Sequence, residues 1–204
     1  YIKSSKRIRF EGDGYSEAWE KEAAKRKLSH LRTTPEAVAI WSEQPYISLF
    51  ESMGVLSPIE LKARQEVEWE AYVMHIQIEG RVYEELAYSQ IVPSAVGYMN
   101  HLLENVNQLG NFMGSSFNVK ESAQAVLIEH INTHIQGLKQ QIDLMTLARK
   151  KANKLTTSSK KAHAYALEVK PLFETIRRHS DQLEKLVSDA YWPLVKYREL
   201  LQIK

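Results

Sequence analysis

Two histidines four positions apart are the residues of this sequence whose type and spacing could do chemistry most directly. His130 and His134 would stand on one face of a helix, with Glu129 beside them, and this spacing lets two imidazoles share one metal ion. The zinc-protease motif needs a glutamate directly after its first histidine, but Ile131 occupies that position. Because the sequence places no third ligand, we interpret both histidines as solvated or core-edge residues. A metal-dependent helical enzyme is therefore the least favoured function.

Two further histidines could belong to a histidine phosphotransfer domain, which is also a helical bundle. The His-x-Leu-Lys-Gly pattern of such domains is absent around His163 and His179. His179 falls on an apolar series at helical spacing, which predicts a buried or half-buried side chain. The members of that series are Leu172, Ile176 and Leu183. The tract Arg177-Arg178-His179 is short, so we expect a solvated face, with an anion contact or an intersubunit pair as alternatives.

The glycine pair around Asp13 could be mistaken for part of a phosphate-binding loop. Gly12-Asp13-Gly14 lacks the third glycine, the preceding strand and the lysine of such loops. We therefore predict an ordinary turn. The sequence also shows no paired carboxylates and no nucleophile next to a base, so the residues alone predict a mostly helical assembly or interaction domain.

Composition excludes several classes of function. The 204 residues are 44% hydrophobic, which is enough to bury a core, and 27 Lys plus Arg against 25 Asp plus Glu leave a formal charge of +2. Without a basic stripe we expect no nucleic-acid partner. No apolar run approaches the roughly 18 residues that span a bilayer, so we expect no membrane contact. The absence of cysteine suits the cytoplasm, and the first residue, Tyr1 rather than Met, suggests a fragment.

A long helix is predicted from Ile59 to about Ser89. Ser57 can cap it, with Pro58 at the first helical position and Glu60 completing a capping box. Two apolar series run along it, which predicts contacts on both sides. One series is Val67, Ala71, Met74, Ile78, Val82 and Leu86, and the other is Trp69, Tyr72, Val73, Ile76 and Tyr83.

Two more long helical stretches are predicted downstream. Pro93 should kink or break the first helix, which then resumes to about Gly110 and is followed by a loop to Ser116. A capping box at Asn118 should open the clearest amphipathic helix. Its apolar series is Leu127, Ile131, Ile135, Leu138, Ile142, Met145 and Ala152. After the polar residues 156–159, a last helix, kinked or restarted at Pro171, should continue to Ala190.

These patterns predict an all-α fold, an antiparallel bundle of long helices in residues 57–204. Residues 1–56 should form short helices and turns that pack on the bundle or on a missing upstream catalytic domain. There, Ser16 can cap a helix to about Lys27, and Thr34 can cap a shorter one that has Pro35 at its first position. The aromatic residues of this segment supply the apolar surface for that packing.

Two runs of the sequence are especially distinctive: Thr33-Thr34-Pro35-Glu36-Ala37 and residues 191–204, which open on Tyr191-Trp192-Pro193. Ordered blocks accompany them at residues 8–16, 49–51, 60–64, 76–79, 91–95 and 103–106. Together they resemble the C-terminal region of type III glutamine synthetases over essentially the full 204 residues. The sequence departs from that family where Lys27 stands in place of an expected Gly, and where Gly80 stands in place of Ala or Ser.

The resemblance implies a parent enzyme that ligates ammonia to glutamate with ATP, through a γ-glutamyl phosphate held by Mg or Mn ions. It places the catalytic residues upstream of Tyr1, so no catalytic, cofactor-binding or metal residue is assigned to this segment. It also implies an upstream catalytic domain and a double-ring homo-oligomer as partners. We expect the aromatic face near Trp69, Tyr72 and Tyr83 to make an intersubunit contact. The alternative is a free-standing helical interaction or scaffold domain with no enzymatic parent.

Overall fold

The computed structural model describes residues 1–6 and 9–202, and this part of the chain is all-α, as predicted, with no strand. Ile8, Ile203 and Lys204, which belong to the runs named above, lie outside the described residues. The helices are α1 (Glu17–Lys25), α2 (Thr34–Ala39), α3 (Gln44–Ser52), α4 (Pro58–Leu86), α5 (Val92–Met113), α6 (Ala123–Asn153), α7 (Ser158–Ala164), α8 (Lys170–Leu186) and α9 (Tyr197–Leu200).

Three long helical segments form the bundle: α4 with α5, α6 alone, and α7 with α8. Polar contacts across the helices show that α6 runs antiparallel to both neighbours, because its residue numbers rise as those of its partners fall. On one side these contacts join Gln124 to Asn105, Asp143 to Tyr88 and Arg149 to Glu84. On the other side they join His134 to His179, Gln141 to Thr175 and Asn153 to Tyr165. The antiparallel bundle is confirmed.

The apolar stripe of α6 forms the centre of the core. Its inward side chains are completely buried: Ile131, Leu138, Ile142 and Met145. They pack in one cluster with buried residues of α5 and α8, among them Leu102, Ile176 and Leu183. Each side chain of this size contributes roughly 1.5–3 kcal/mol when it leaves water. The periodicity therefore predicted the core face of α6 correctly.

Each helix-interrupting proline is preceded by one wide helical turn. Residues 87–91 form a π-helical turn ahead of Pro93, and residues 165–169 form another ahead of Pro171. A proline lacks the N–H donor and its ring collides with the carbonyl four residues back, and a wider turn relieves both problems. The predicted disruption at both prolines is thus absorbed while each segment stays helical.

Two helix starts differ from the predictions by a few residues. The Ser57 capping box is confirmed, with Glu60 bonded back to the cap. The second short helix is capped by Thr33 rather than Thr34, because Glu36 completes a capping box with Thr33. Asn118 caps only a 3₁₀ turn, and the long helix α6 starts from Ser122, whose hydroxyl accepts a hydrogen bond from Ala125.

Two helix ends also differ from the predictions. α5 continues past Gly110 to Met113, and Gly114, with φ of 60°, ends it. α8 stops at Leu186 instead of reaching Ala190. The buried Lys196 explains this end: its ammonium donates to the carbonyls of Glu184 and Val187, at 2.8 and 3.1 Å. A cation at the C-terminus of a helix satisfies carbonyls that have no helical partner.

α2 is fastened to α4 by two buried side chains. The amide of Gln65, 3% exposed, donates to the carbonyls of Val38 and Ala39 at the end of α2, at 2.8 and 3.2 Å. The indole of Trp69 donates to the carbonyl of Pro35 at 3.3 Å. Part of residues 1–56 thus packs on the bundle, while their division from residues 57–204 as a separate unit stays a prediction.

Lys27 closes α1 in the left-handed conformation that usually selects glycine. Its φ is 57°, and it is the only non-glycine residue with positive φ among the described residues. The amide of Leu28 donates to Ala23 and that of Lys27 donates to Ala24, at 2.9 and 3.1 Å. This is the hydrogen-bond pattern of a Schellman motif. The departure from the expected Gly at this position therefore places a side chain where the backbone disfavours one.

We predict that Lys27→Gly stabilises α1 by about 0.5–1 kcal/mol, because the left-handed penalty of Lys exceeds the extra entropy that Gly loses. Hydrogen–deuterium exchange of the α1 amides should slow roughly two- to fivefold. The control Lys21→Gly, inside the same helix, should speed exchange, since Gly lowers helix propensity by about 1 kcal/mol. Equal effects of the two substitutions on exchange would contradict the conclusion that the left-handed conformation of Lys27 destabilises α1.

Candidate interaction surface and histidine pair

The structure pairs His134 with a histidine of another helix. His134 on α6 and His179 on α8 are both half-buried, and their Nδ1 atoms lie 3.1 Å apart. One ring donates this hydrogen bond through Nδ1–H and the Nδ1 of the other ring accepts it, so the accepting ring is neutral in this arrangement. The predicted half-buried position of His179 is confirmed, but its partner was not anticipated.

A glycine of α6 makes room for this pair. A Cβ added to Gly137 would lie 2.2 Å from Cε1 of His179 and within 2.7 Å of both of its ring nitrogens. Such distances are far below van der Waals contact, so any side chain at position 137 would displace the ring. Gly137 therefore lets the imidazole of α8 lie against the backbone of α6.

Burial lowers the pKa of both imidazoles. For His134 the largest cause is desolvation, followed by the charges of His179 and His130. For His179 desolvation again comes first, followed by the charge of Arg178. Protonating both rings would place two positive charges about one hydrogen-bond length apart, and the neutral pair is favoured for this reason.

The other sequence candidates do not converge on a shared site. His130 is exposed on α6, and His163 on α7 is bonded to the carbonyl of Ser159 at 2.8 Å. Arg177 lies on an exposed face near Asp181, at 3.7 Å, and also bonds the hydroxyl of Tyr197. Gly12-Asp13-Gly14 is a turn, as predicted, in which Asp13 accepts from the amide of Tyr15 at 2.9 Å. Among the described residues, no three His, Cys, Asp or Glu side chains are grouped to hold a metal ion.

A cleft of about 390 Å³ lies between α4, α8 and the segment before α9. Its floor is apolar and includes Leu86, Ile91 and Ile176, and Trp192 closes one side. The indole N–H of the buried Trp192 has no hydrogen-bond acceptor. At the rim, Arg177 pairs with Asp181 at 3.7 Å and donates to the hydroxyl of Tyr197.

The two apolar series of α4 face opposite directions. The series that contains Trp69 turns inward. Trp69 is 7% exposed and is covered by α2 and α7, and Tyr83 packs against Phe173 with the rings tilted and their centroids 4.8 Å apart. Tyr72 packs against both core clusters. The chain thus covers Trp69 itself, while Tyr72 and Tyr83 are only half-buried. The expected intersubunit contact near these residues stays a prediction.

The other series leaves an apolar stripe on the outward side of α4. Val67, Met74, Ile78 and Val82 are 61%, 50%, 53% and 45% exposed. Their spacing of seven, four and four residues aligns them on one helix face. The stripe is about 22 Å long at 1.5 Å per residue. We call these four residues the α4 stripe. Contiguous apolar surface of this kind marks a contact site more often than scattered single side chains do.

No helix among the described residues is long and apolar enough to cross a bilayer. The α4 stripe is only one face of a helix whose other positions include many charged residues. A protein surface is therefore a better match for it than a membrane interior.

A family model and individual related proteins both indicate the same family. A family described as the glutamine synthetase C-terminal domain matches residues 1–110. The chain is 42% identical to a glutamine synthetase of Bacteroides fragilis (strain YCH46) over all of its 204 residues. It is 32% identical to the type-3 glutamine synthetase of Dictyostelium discoideum over 97% of its length. A glutamine synthetase of Butyrivibrio fibrisolvens is 25% identical over 96% of the chain.

The chain spans less than a third of the length of these relatives. It covers 28%, 27% and 28% of the Bacteroides, Dictyostelium and Butyrivibrio proteins. The similarity thus concerns one region of longer proteins.

The histidine pair makes the stability of the bundle depend on pH. Because both folded-state pKa values lie below the usual value near 6.5, the unfolded chain binds protons first. The contribution is present above about pH 6.5 and is lost as the pH falls through the lower folded-state pKa values. Urea unfolding at several pH values should show this loss, and His179→Gln should reduce it.

His75→Gln, at an exposed position of α4, is the matched control and should leave the pH dependence unchanged. His130 and Arg178, whose charges act on the histidine pair, are unchanged in both variants. An identical decline in all three proteins would show that the pair does not control this transition.

Proposed function

Because the chain belongs to the glutamine synthetase C-terminal domain family, we propose that it is the helical assembly region of an enzyme that ligates ammonia to glutamate with ATP. The two relatives at 42% and 32% identity are a glutamine synthetase and a type-3 glutamine synthetase. In this proposal, catalysis belongs to other parts of the polypeptide. The region's own task is to join the enzyme's parts in the cytoplasm.

In this proposal, ATP and the Mg or Mn ions that glutamine formation would use bind outside the described residues. Divalent ions of this kind need several oxygen ligands, and the described residues contain no group of three candidate ligands. The turn at Gly12-Asp13-Gly14 hydrogen-bonds to itself through Asp13. No catalytic step is therefore assigned to these residues.

The α4 stripe carries the proposal. Four large apolar side chains on one face of a 29-residue helix are about half exposed, although the opposite face of the same helix is well packed. Covering such a stripe would stabilise a contact, since each buried side chain contributes roughly 1.5–3 kcal/mol before the entropy of association is subtracted. We assign the stripe to the contact with a second copy of the same polypeptide. A double ring, as expected from the resemblance, repeats one such contact around the assembly.

Two substitutions in the whole polypeptide test this assignment. Met74→Glu and Ile78→Glu would each bury a carboxylate in the contact, which is strongly unfavourable without a partner. We predict that each weakens subunit association at least roughly tenfold, equal to about 1.4 kcal/mol. Light scattering coupled to size exclusion would measure the mass of the assembly, and glutamine formation would be assayed in parallel.

Leu167→Glu is the control, because Leu167 is 62% exposed but lies in the turn between α7 and α8. It should leave the mass unchanged. Loss of activity in the Met74 and Ile78 variants at unchanged assembly mass would refute a subunit contact and indicate packing on the catalytic part of the same subunit. A native polypeptide that forms no glutamine would support the alternative, a free-standing helical interaction domain.

A further inference from the structure

His134 and His179 are arranged as two ligands of one metal ion. The Nδ1 atoms of two rings on different helices lie 3.1 Å apart, and both rings are partly accessible to solvent. With metal–nitrogen bonds of roughly 2.0–2.1 Å, two nitrogens at this distance subtend about 100° at a shared ion. An ideal tetrahedral angle needs the nitrogens only about 0.2–0.3 Å further apart. A shared ion would lie to one side of the line between the two nitrogens, so both rings must turn toward it.

A third imidazole stands one helical turn away. His130 precedes His134 by four residues on α6, so both side chains leave the same face of the helix. His130 is exposed, and its ring makes no hydrogen bond to another of the described residues. Its side chain can therefore rotate with little resistance. In the structure of the described residues, His134 and His179 form a pair of ligands, and rotation of the His130 side chain would supply a third.

From this geometry we propose that His134 and His179, with His130, bind a zinc-type divalent transition-metal ion between α6 and α8. Imidazole nitrogens suit Zn²⁺, Ni²⁺ and Cu²⁺, whereas Mg²⁺ and Ca²⁺ prefer oxygen ligands. Water would complete a four-coordinate sphere, because the described residues bring no carboxylate into the pair.

The protonation of the rings is compatible with this role. A ligating Nδ1 must carry no proton, so the ring that donates in the pair must move its proton from Nδ1 to Nε2, where the accepting ring already carries its own. The shared hydrogen bond between the two Nδ1 atoms is exchanged for two metal–nitrogen bonds, and no proton need be released at neutral pH. Gly137 has a specific part here, since its missing side chain allows the ring of His179 to reach α6.

This inference does not rest on the proposed function, and its test uses other readouts. Zn²⁺ would be titrated calorimetrically into the whole polypeptide, with excess Mg²⁺ present to occupy oxygen-rich sites. We expect His134→Gln and His179→Gln each to remove one Zn²⁺ per chain, or to weaken that site more than roughly tenfold. His130→Gln should weaken the same site while leaving a measurable remainder.

Two further measurements exclude misfolding as the cause. His134→Cys retains a zinc ligand and should keep the site, whereas His134→Gln should not. The melting temperature of the wild-type chain should rise by roughly 5 °C at a hundredfold excess of Zn²⁺ over its dissociation constant, and that of the His134→Gln variant should not. His75→Gln is the control for exposed histidines and should behave as wild type.

The proposal is overturned if the wild-type chain and the His134→Gln and His179→Gln variants bind the same number of zinc ions with the same affinity. It is also overturned if Zn²⁺ lowers or leaves unchanged the melting temperature of the wild-type chain. Either result would leave the two rings as a hydrogen-bonded pair.

Discussion

The fold depends above all on the buried apolar stripe of α6. Ile131, Leu138, Ile142 and Met145 exclude water completely, and both flanking segments pack against them in antiparallel orientation. Because this stripe meets α5 on one side and α8 on the other, it sets the register of α6 against both neighbouring segments. The histidine pair is one product of that register, since α8 must lie close to Gly137 for the two rings to meet.

Much of the architecture could be predicted from sequence because it rests on local rules. The capping box at Ser57 and the periodicity of α6 are encoded within a few residues, and both are confirmed. Two helix starts differ from the predictions that Thr34 and Asn118 act as caps. Thr33 prevailed over Thr34 because only Thr33 has Glu36 at the reciprocal position, and Ser122 prevailed over Asn118 because a 3₁₀ turn intervenes. The end of α8 depended on Lys196, ten residues beyond it, which no local pattern reveals.

The outward face of α4 and the partner of His134 could not be predicted, because tertiary contacts decide them. Both sides of α4 are apolar, so periodicity alone cannot tell which one faces the core. Gln65 and Trp69 decide it by bonding to carbonyls of α2, and the α4 stripe is left outside. Similarly, the spacing of His130 and His134 indicates two side chains on one helix face, whereas the closest contact comes from α8, 45 residues away.

We propose that the α4 stripe is covered by a second copy of the polypeptide. Hydroxyl-radical footprinting of the native assembly tests it directly at Met74, with Met53, 68% exposed and outside α4, as an internal reference. We predict that assembly protects Met74 from oxidation while Met53 stays reactive. Oxidation of Met74 at the same rate in the native assembly and in dissociated subunits would contradict it.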